Sequence, residues 1–148
     1  MRRLVLLLLL PLIIILVLSG RSRGGQIGNS SIAGTRLHTD ITASQLQTML
    51  TSKDFTFVNV HIPYAGDITQ TDLSIPYDEI DRNLDKLPAD KNAKIVLYDR
   101  SGRMSTRAAQ VLVQHGYTNV YQLAGGTVGW EKAGYPLLMN SNSPRGLQ

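Results

Sequence analysis

Asp99 closes the apolar run Ile95-Val-Leu-Tyr and is followed by Arg100, Ser101, Gly102, Arg103, Met104 and Ser105. A carboxylate at that junction has two main uses. It can satisfy the free amides that open a loop or helix, or it can attack an electrophile. Capping ranks well ahead of catalysis, because Asp is a favoured acceptor for such amides. Arg100 and Arg103 have two readings of similar weight. They bind an anion at the rim of a pocket, or they pair with Asp99 or a surface carboxylate. Arg107 is expected on a solvated helix face. Ser101 and Ser105 read as loop hydroxyls, because neither has a His–Asp pair nearby in sequence to activate it.

Other chemistry is limited by what the chain lacks. It has no cysteine, which removes disulfides, thiolate nucleophiles and persulfides. His38, His61 and His115 are scattered, so no zinc site is expected. Asp67, Asp72, Asp78 and Asp81 lack the spacing of a calcium loop. No metal or cofactor is expected. His61 follows a strand and has two readings, a residue facing the site and a turn or surface histidine, with the second preferred; Trp130 reads as core packing for the last helix.

These residues need a scaffold, and the patterning supplies one. Strands are expected over residues 37–41, 55–60, 94–98 and 119–123, where β-branched and aromatic residues concentrate. Thr42 and Gln45 fit a capping box, followed by Leu46, Met49 and Leu50 on one helical face. Residues 61–74 are polar and without period. A helix is expected over 77–87, with Ile80, Leu84 and Leu87 on one side and Pro88 as its stop. Residues 99–105 read as a loop, 106–115 as a helix capped by Gly116, and 128–133 as a short helix after the Gly125-Gly126 turn. Strands alternating with helices predict an α/β fold: a doubly wound, mostly parallel sheet with helices on both faces. Sites in such sheets form at the carboxyl ends of strands, where Asp99 falls, beside the positive end of a helix.

The run from Ile95 to Ser105 resembles the active-site segment of rhodanese-like domains, a strand, then cysteine, then a loop leading into a helix. The stretch Asn119-Val-Tyr-Gln-Leu-Ala-Gly-Gly-Thr-Val-Gly-Trp-Glu-Lys-Ala-Gly-Tyr-Pro136 is similar to the family's closing segment, and Leu87-Pro-Ala-Asp-Lys91 also fits. The resemblance covers residues 37–138. It implies a single rhodanese-like domain and, for the family, sulfur transfer from a donor such as thiosulfate through a cysteine persulfide. Two departures stand out. Asn59-Val-His61 and the segment from Gly66 to Pro76 differ from the usual family pattern, and Asp99 occupies the cysteine's position. The resemblance therefore implies an anion-holding loop, Asp99 to Ser105, that supplies its own negative charge. Phosphotransfer enzymes of the haloacid-dehalogenase type also set an Asp after such a strand. They carry a second Asp two residues on, where this chain has Ser101.

The net charge of +4 invites a nucleic-acid reading. Four of the basic residues, Arg2, Arg3, Arg21 and Arg23, lie at the start, and from residue 24 onward 11 basic residues face 11 acidic ones. Without an excess or a basic stripe, no nucleic-acid partner is expected. Residues 1–24 read as a signal or membrane anchor: a basic head, an apolar run over 4–18, then small residues. As a helix that run rises about 22 Å, short of a hydrocarbon layer of about 30 Å. Leu18-Ser-Gly20 resembles a lipoprotein signal, but Arg21 stands where the lipidated cysteine would follow. An uncleaved or inefficiently cleaved anchor is favoured over a removed signal peptide. Residues 25–36 read as a flexible linker and 139–148 as a frayed tail. The expectation is a membrane-associated domain facing the extracytoplasmic side. It would bind a protein or a small anionic ligand without sulfurtransferase activity. The alternatives are a sulfurtransferase of the family and a weak Asp99-dependent phosphohydrolase.

Overall fold

Parallel strands pair only when a crossover returns the chain to the same end of the sheet, and the alternating pattern supplies such crossovers. The computed structural model describes residues 38–139. The expectations for residues 1–24, 25–36 and 140–148 lie outside the described residues. The strands are β1 (Thr39–Ile41), β2 (Thr56–Asn59), β3 (Leu73–Ser74), β4 (Ile95–Tyr98) and β5 (Val120–Leu123). The helices are α1 (Ala43–Leu50), α2 (Arg103–Gln114) and α3 (Gly126–Lys132). The sheet runs β1-β5-β4-β2-β3, with every pairing parallel.

Successive side chains on a strand face opposite sides, so a strand buried on both faces feeds two cores. β4 does this. Ile95 and Leu97 join Ala108, Ala109 and Leu112 of α2 on one side. Val96 and Tyr98 join Leu46, Leu50 and Trp130 on the other. The expected doubly covered sheet is the observed one. α1 opens with the expected capping box, Thr42 Oγ1 accepting from the Gln45 amide and Gln45 Oε1 from the Thr42 amide. Trp130 is buried; its Nε1 donates to the Pro136 carbonyl at 3.0 Å and its ring packs on Tyr135.

Three local expectations need correction. The helix over 77–87 is a 3₁₀ segment, Ile80–Lys86, kinked at Asn83 (φ −125°). Asn83 Nδ2 donates to the Glu79 carbonyl at 2.8 Å, a side-chain bond that competes with helical pairing. Ile80, Leu84 and Leu87 still pack inward. The polar stretch 61–74 holds the short strand β3, with Leu73 beside Val58. α2 and α3 start at Arg103 and Gly126, earlier than residues 106 and 128. Both early starts are produced by the site.

Candidate functional site

Asp99 is the first residue beyond β4, and its side chain turns back under the loop instead of outward. It is 1% exposed. Oδ1 accepts from the Gly102 amide (2.7 Å), the Ser105 amide (3.3 Å) and Ser105 Oγ (2.8 Å). Oδ2 accepts from the amides of Ser101 (3.2 Å) and Met104 (3.3 Å). Two of these amides belong to the first turn of α2, where helix donors otherwise lack partners. The turn that converges them requires φ +93° at Gly102, which caps α2. Residues 103–105 are thus helical, not loop, because the carboxylate satisfies the Met104 and Ser105 amides of the first turn.

Burial works against the charge of Asp99. The hydrogen bonds from the Ser105 hydroxyl and from the amides of Ser101, Met104 and Ser105 outweigh it. They hold the carboxyl below its ordinary range. Ser105 is fully buried within α2 and is no loop hydroxyl. Its Oγ carries one proton and lies 2.8 Å from Asp99 Oδ1 and 2.9 Å from Gln122 Oε1. Gln122, on β5, in turn donates through Nε2 to Asp40 on β1 at 2.7 Å.

The outer side of the loop is tied down as well. The Thr127 amide donates to the Asp99 carbonyl (2.9 Å) and the Val128 amide to the Arg100 carbonyl (3.1 Å). This explains the early start of α3. The loop's amides point in to the carboxylate, and its carbonyls point out to the first turn of a second helix.

A pocket of about 280 Å³ opens above Asp99. Arg100, Ser101, Arg103, Met104 and Arg107 line it, with His61 and Tyr77 from other segments. His61 therefore faces the site, the first of its two readings and not the preferred turn or surface one. It is delivered there by a network under the 59–71 segment. Asn59 Oδ1 accepts from the His61 amide, and Asn59 Nδ2 donates to Asp67 Oδ1. Tyr98 Oη donates to the same Asp67 oxygen and accepts from the Ile68 amide. Burial drives the Tyr98 phenol well above its ordinary pKa, so it stays a donor. Burial lowers the His61 pKa; Asp99 opposes that and Arg100 adds to it.

Among the described residues, no carboxylate oxygen lies within 4.0 Å of Arg100, Arg103 or Arg107, whereas Lys53, Lys94 and Arg82 each have one. The pairing of Arg100 or Arg103 with Asp99 is therefore not observed. Arg107 is exposed as expected, yet it also borders the pocket and lies over the Tyr77 ring at 5.9 Å. Sequence patterning had no signal for Tyr77 or Gln122, because both reach the site through tertiary packing.

A family profile described as "Rhodanese-like domain" matches residues 42–133. A sulfurtransferase of Allochromatium vinosum is 30% identical over 94 residues, covering 62% of this chain and 86% of the relative. A tRNA uridine(34) hydroxylase of Erwinia tasmaniensis is 30% identical over 92 residues, covering 58% of this chain but only 26% of that protein. Among solved structures, a rhodanese-related protein from Thermoplasma volcanium aligns with a TM-score of 0.60 at 26% identity, over 70% of this chain and all of that one.

Proposed function

The chain belongs to the rhodanese-like family, and from that premise we propose that it is a non-catalytic binding module in which Asp99 takes the family's cysteine position as a resident anion. The observation that carries this reading is the set of five hydrogen bonds received by the Asp99 carboxylate. The amides that would meet an anionic sulfur intermediate are already engaged. A carboxylate oxygen cannot hold a sulfane sulfur, and no cysteine exists elsewhere in the chain to replace it. The relation to a sulfurtransferase supports descent from that chemistry. The phosphohydrolase alternative has less support, because hydrogen bonds occupy both carboxylate oxygens of a buried Asp99. The remaining ligand-facing chemistry is cationic: Arg100, Arg103 and Arg107 around the pocket.

A thiosulfate–cyanide assay on this chain and on Asp99→Cys tests the reading. The present chain is expected to form no thiocyanate. Asp99→Cys is expected to gain measurable turnover, because a thiolate there would face the same amides and helix end. Turnover by the unmodified chain would overturn the non-catalytic reading. Silence from a folded Asp99→Cys would show that more than the nucleophile has been lost.

The proposal includes an address. Residues 4–18 hold the chain at a membrane, with the domain on the extracytoplasmic side, where tethering raises its local concentration near partners. Protease added to spheroplasts should then remove the domain. Full protection behind an intact inner membrane would sink this part.

A further inference from the structure

The arginine pocket does not end at its own rim. A second, more open depression of about 560 Å³ lies beside it and shares Ser101, Arg103 and Arg107. It continues past Gln110 to Gly125 at the start of α3. Arg103 and Arg107 stand between the two hollows, one turn apart on α2.

The charge on this face is segregated. The described residues hold 9 Lys and Arg against 11 Asp and Glu, so this part of the chain is not basic as a whole. Elsewhere Lys53, Arg82 and Lys94 are paired with carboxylates, and Lys91 rests on the Tyr117 ring at 3.8 Å. Lys86 and Lys132 are exposed singly. Only here do three exposed cations gather along one surface, with no carboxylate oxygen within 4.0 Å among the described residues. Asp99 borders the first hollow, but its oxygens accept from the loop amides and form no ion pair with the three arginines.

We propose that this two-hollow arginine face docks an extended acidic segment of a partner protein, one with acidic side chains at alternate positions. The inference rests on the binding-module reading and names the partner's chemistry. Residues four apart on a helix are about 6 Å apart at their Cβ atoms. Every second side chain of an extended peptide points the same way, about 6.6 Å from the last, at about 3.3 Å per residue. Carboxylates at positions i and i+2 of a strand-like peptide therefore meet Arg103 and Arg107 in register. Each guanidinium offers a forked donor set matched to a carboxylate. A further carboxylate reaches the pocket beside Arg100, and the exposed Gln110 amide is available to the peptide backbone. A nucleic-acid backbone suits the face less well, because it needs cations along a longer track than two helical turns.

The test uses the full chain in mild detergent and a fluorescent peptide alternating glutamate and serine, with a glutamine–serine peptide as the neutral control. Binding of the acidic peptide is expected, with at least a tenfold loss in the charge reversal Arg103→Glu/Arg107→Glu. A loss below twofold is expected in Lys132→Glu. A glutamate-matched peptide with its acidic residues in one block should bind more weakly than the alternating one. Arg103→Gln/Arg107→Gln, checked by thermal melting, guards against a folding defect from added acidic charge. Equal binding of the neutral peptide, equal loss in Lys132→Glu, or preference for duplex DNA or anionic vesicles would overturn the proposal. The same preparations are assayed with thiosulfate. Turnover there counts against the non-catalytic reading alone, while absent peptide binding without turnover counts against the docking proposal alone.

Discussion

Asp99→Ala is expected to destabilise the domain by about 3 kcal/mol at neutral pH, because hydrogen bonds to a charged group are among the stronger ones and their loss strands several donors. Four loop and helix amides lose their acceptor together, and the Ser105 hydroxyl keeps only Gln122 Oε1. A domain of this size has a total stability of only about 5–15 kcal/mol. The effect should depend on pH in a set direction. The folded pKa of Asp99 lies below the ordinary 3.8. Its contribution is therefore fully present above the unfolded value and is lost as pH falls through the folded one. Urea unfolding at pH 7 and near pH 3 checks this: the gap between the original chain and Asp99→Ala should narrow in acid. An equal gap at both pH values, or none at pH 7, would contradict the resident-anion account. Asp99→Asn should recover part of the loss, since it keeps one acceptor oxygen but turns an NH₂ toward donors.

Gly126→Ala is expected to be at least as damaging, by about 3 kcal/mol or more, because it combines strain with overpacking against backbone. Gly126 has φ +55°, and a Cβ there would overlap the Asp99 carbonyl oxygen and sit 2.5 Å from the Arg100 carbonyl carbon and 2.6 Å from the Ser101 nitrogen. None of these atoms belongs to a side chain that can swing away. Gly116→Ala is the matched control, with φ +86° and nothing within 4 Å of the added atom. It should show only the left-handed backbone cost of about 1–2 kcal/mol. Urea melts of the two variants side by side decide the matter. If Gly126→Ala costs no more than Gly116→Ala, close approach of α3 to the Asp99 loop is not what requires glycine there. Any folded fraction of Gly126→Ala should also show shifted amide resonances for residues 99–105.

The first expectation rests on neighbours of Asp99 in the chain, and its capping role was legible there; the second rests on a contact that neighbouring residues do not disclose. The Gly125-Gly126 pair reads from sequence as a turn. Its second glycine is required by a loop more than twenty positions earlier in the chain. Ser105 reads as a loop hydroxyl because the residues around it are small and charged. Tertiary structure buries it between Asp99 and Gln122. His61 shows the same limit, since an Asn59–Asp67–Tyr98 network spanning distant positions turns its segment toward the pocket. The 77–87 segment fails for a different reason. Apolar spacing of three and four residues predicts an α-helix, and the kink at Asn83 with its side-chain bond to the Glu79 carbonyl leaves no mark in that spacing.

What the sequence determined by itself was the class of fold and the kind of chemistry available. Alternating buried strands and amphipathic helices admit one main solution, a parallel sheet covered on both faces, because apolar faces must be buried wherever the chain crosses over. The absence of cysteine and the presence of Asp99 at the end of β4 are likewise facts of composition and order. That Asp99 meets the amides of its own loop was legible too, because its donors lie only two to six residues on. Only the tertiary structure decided that Gln122 and the start of α3 close around that loop, that His61 and Tyr77 reach the pocket, and which cations remain unpaired beside it. Those outcomes depend on sub-ångström distances between segments far apart in the chain, and hydrogen bonds are formed or lost on that scale.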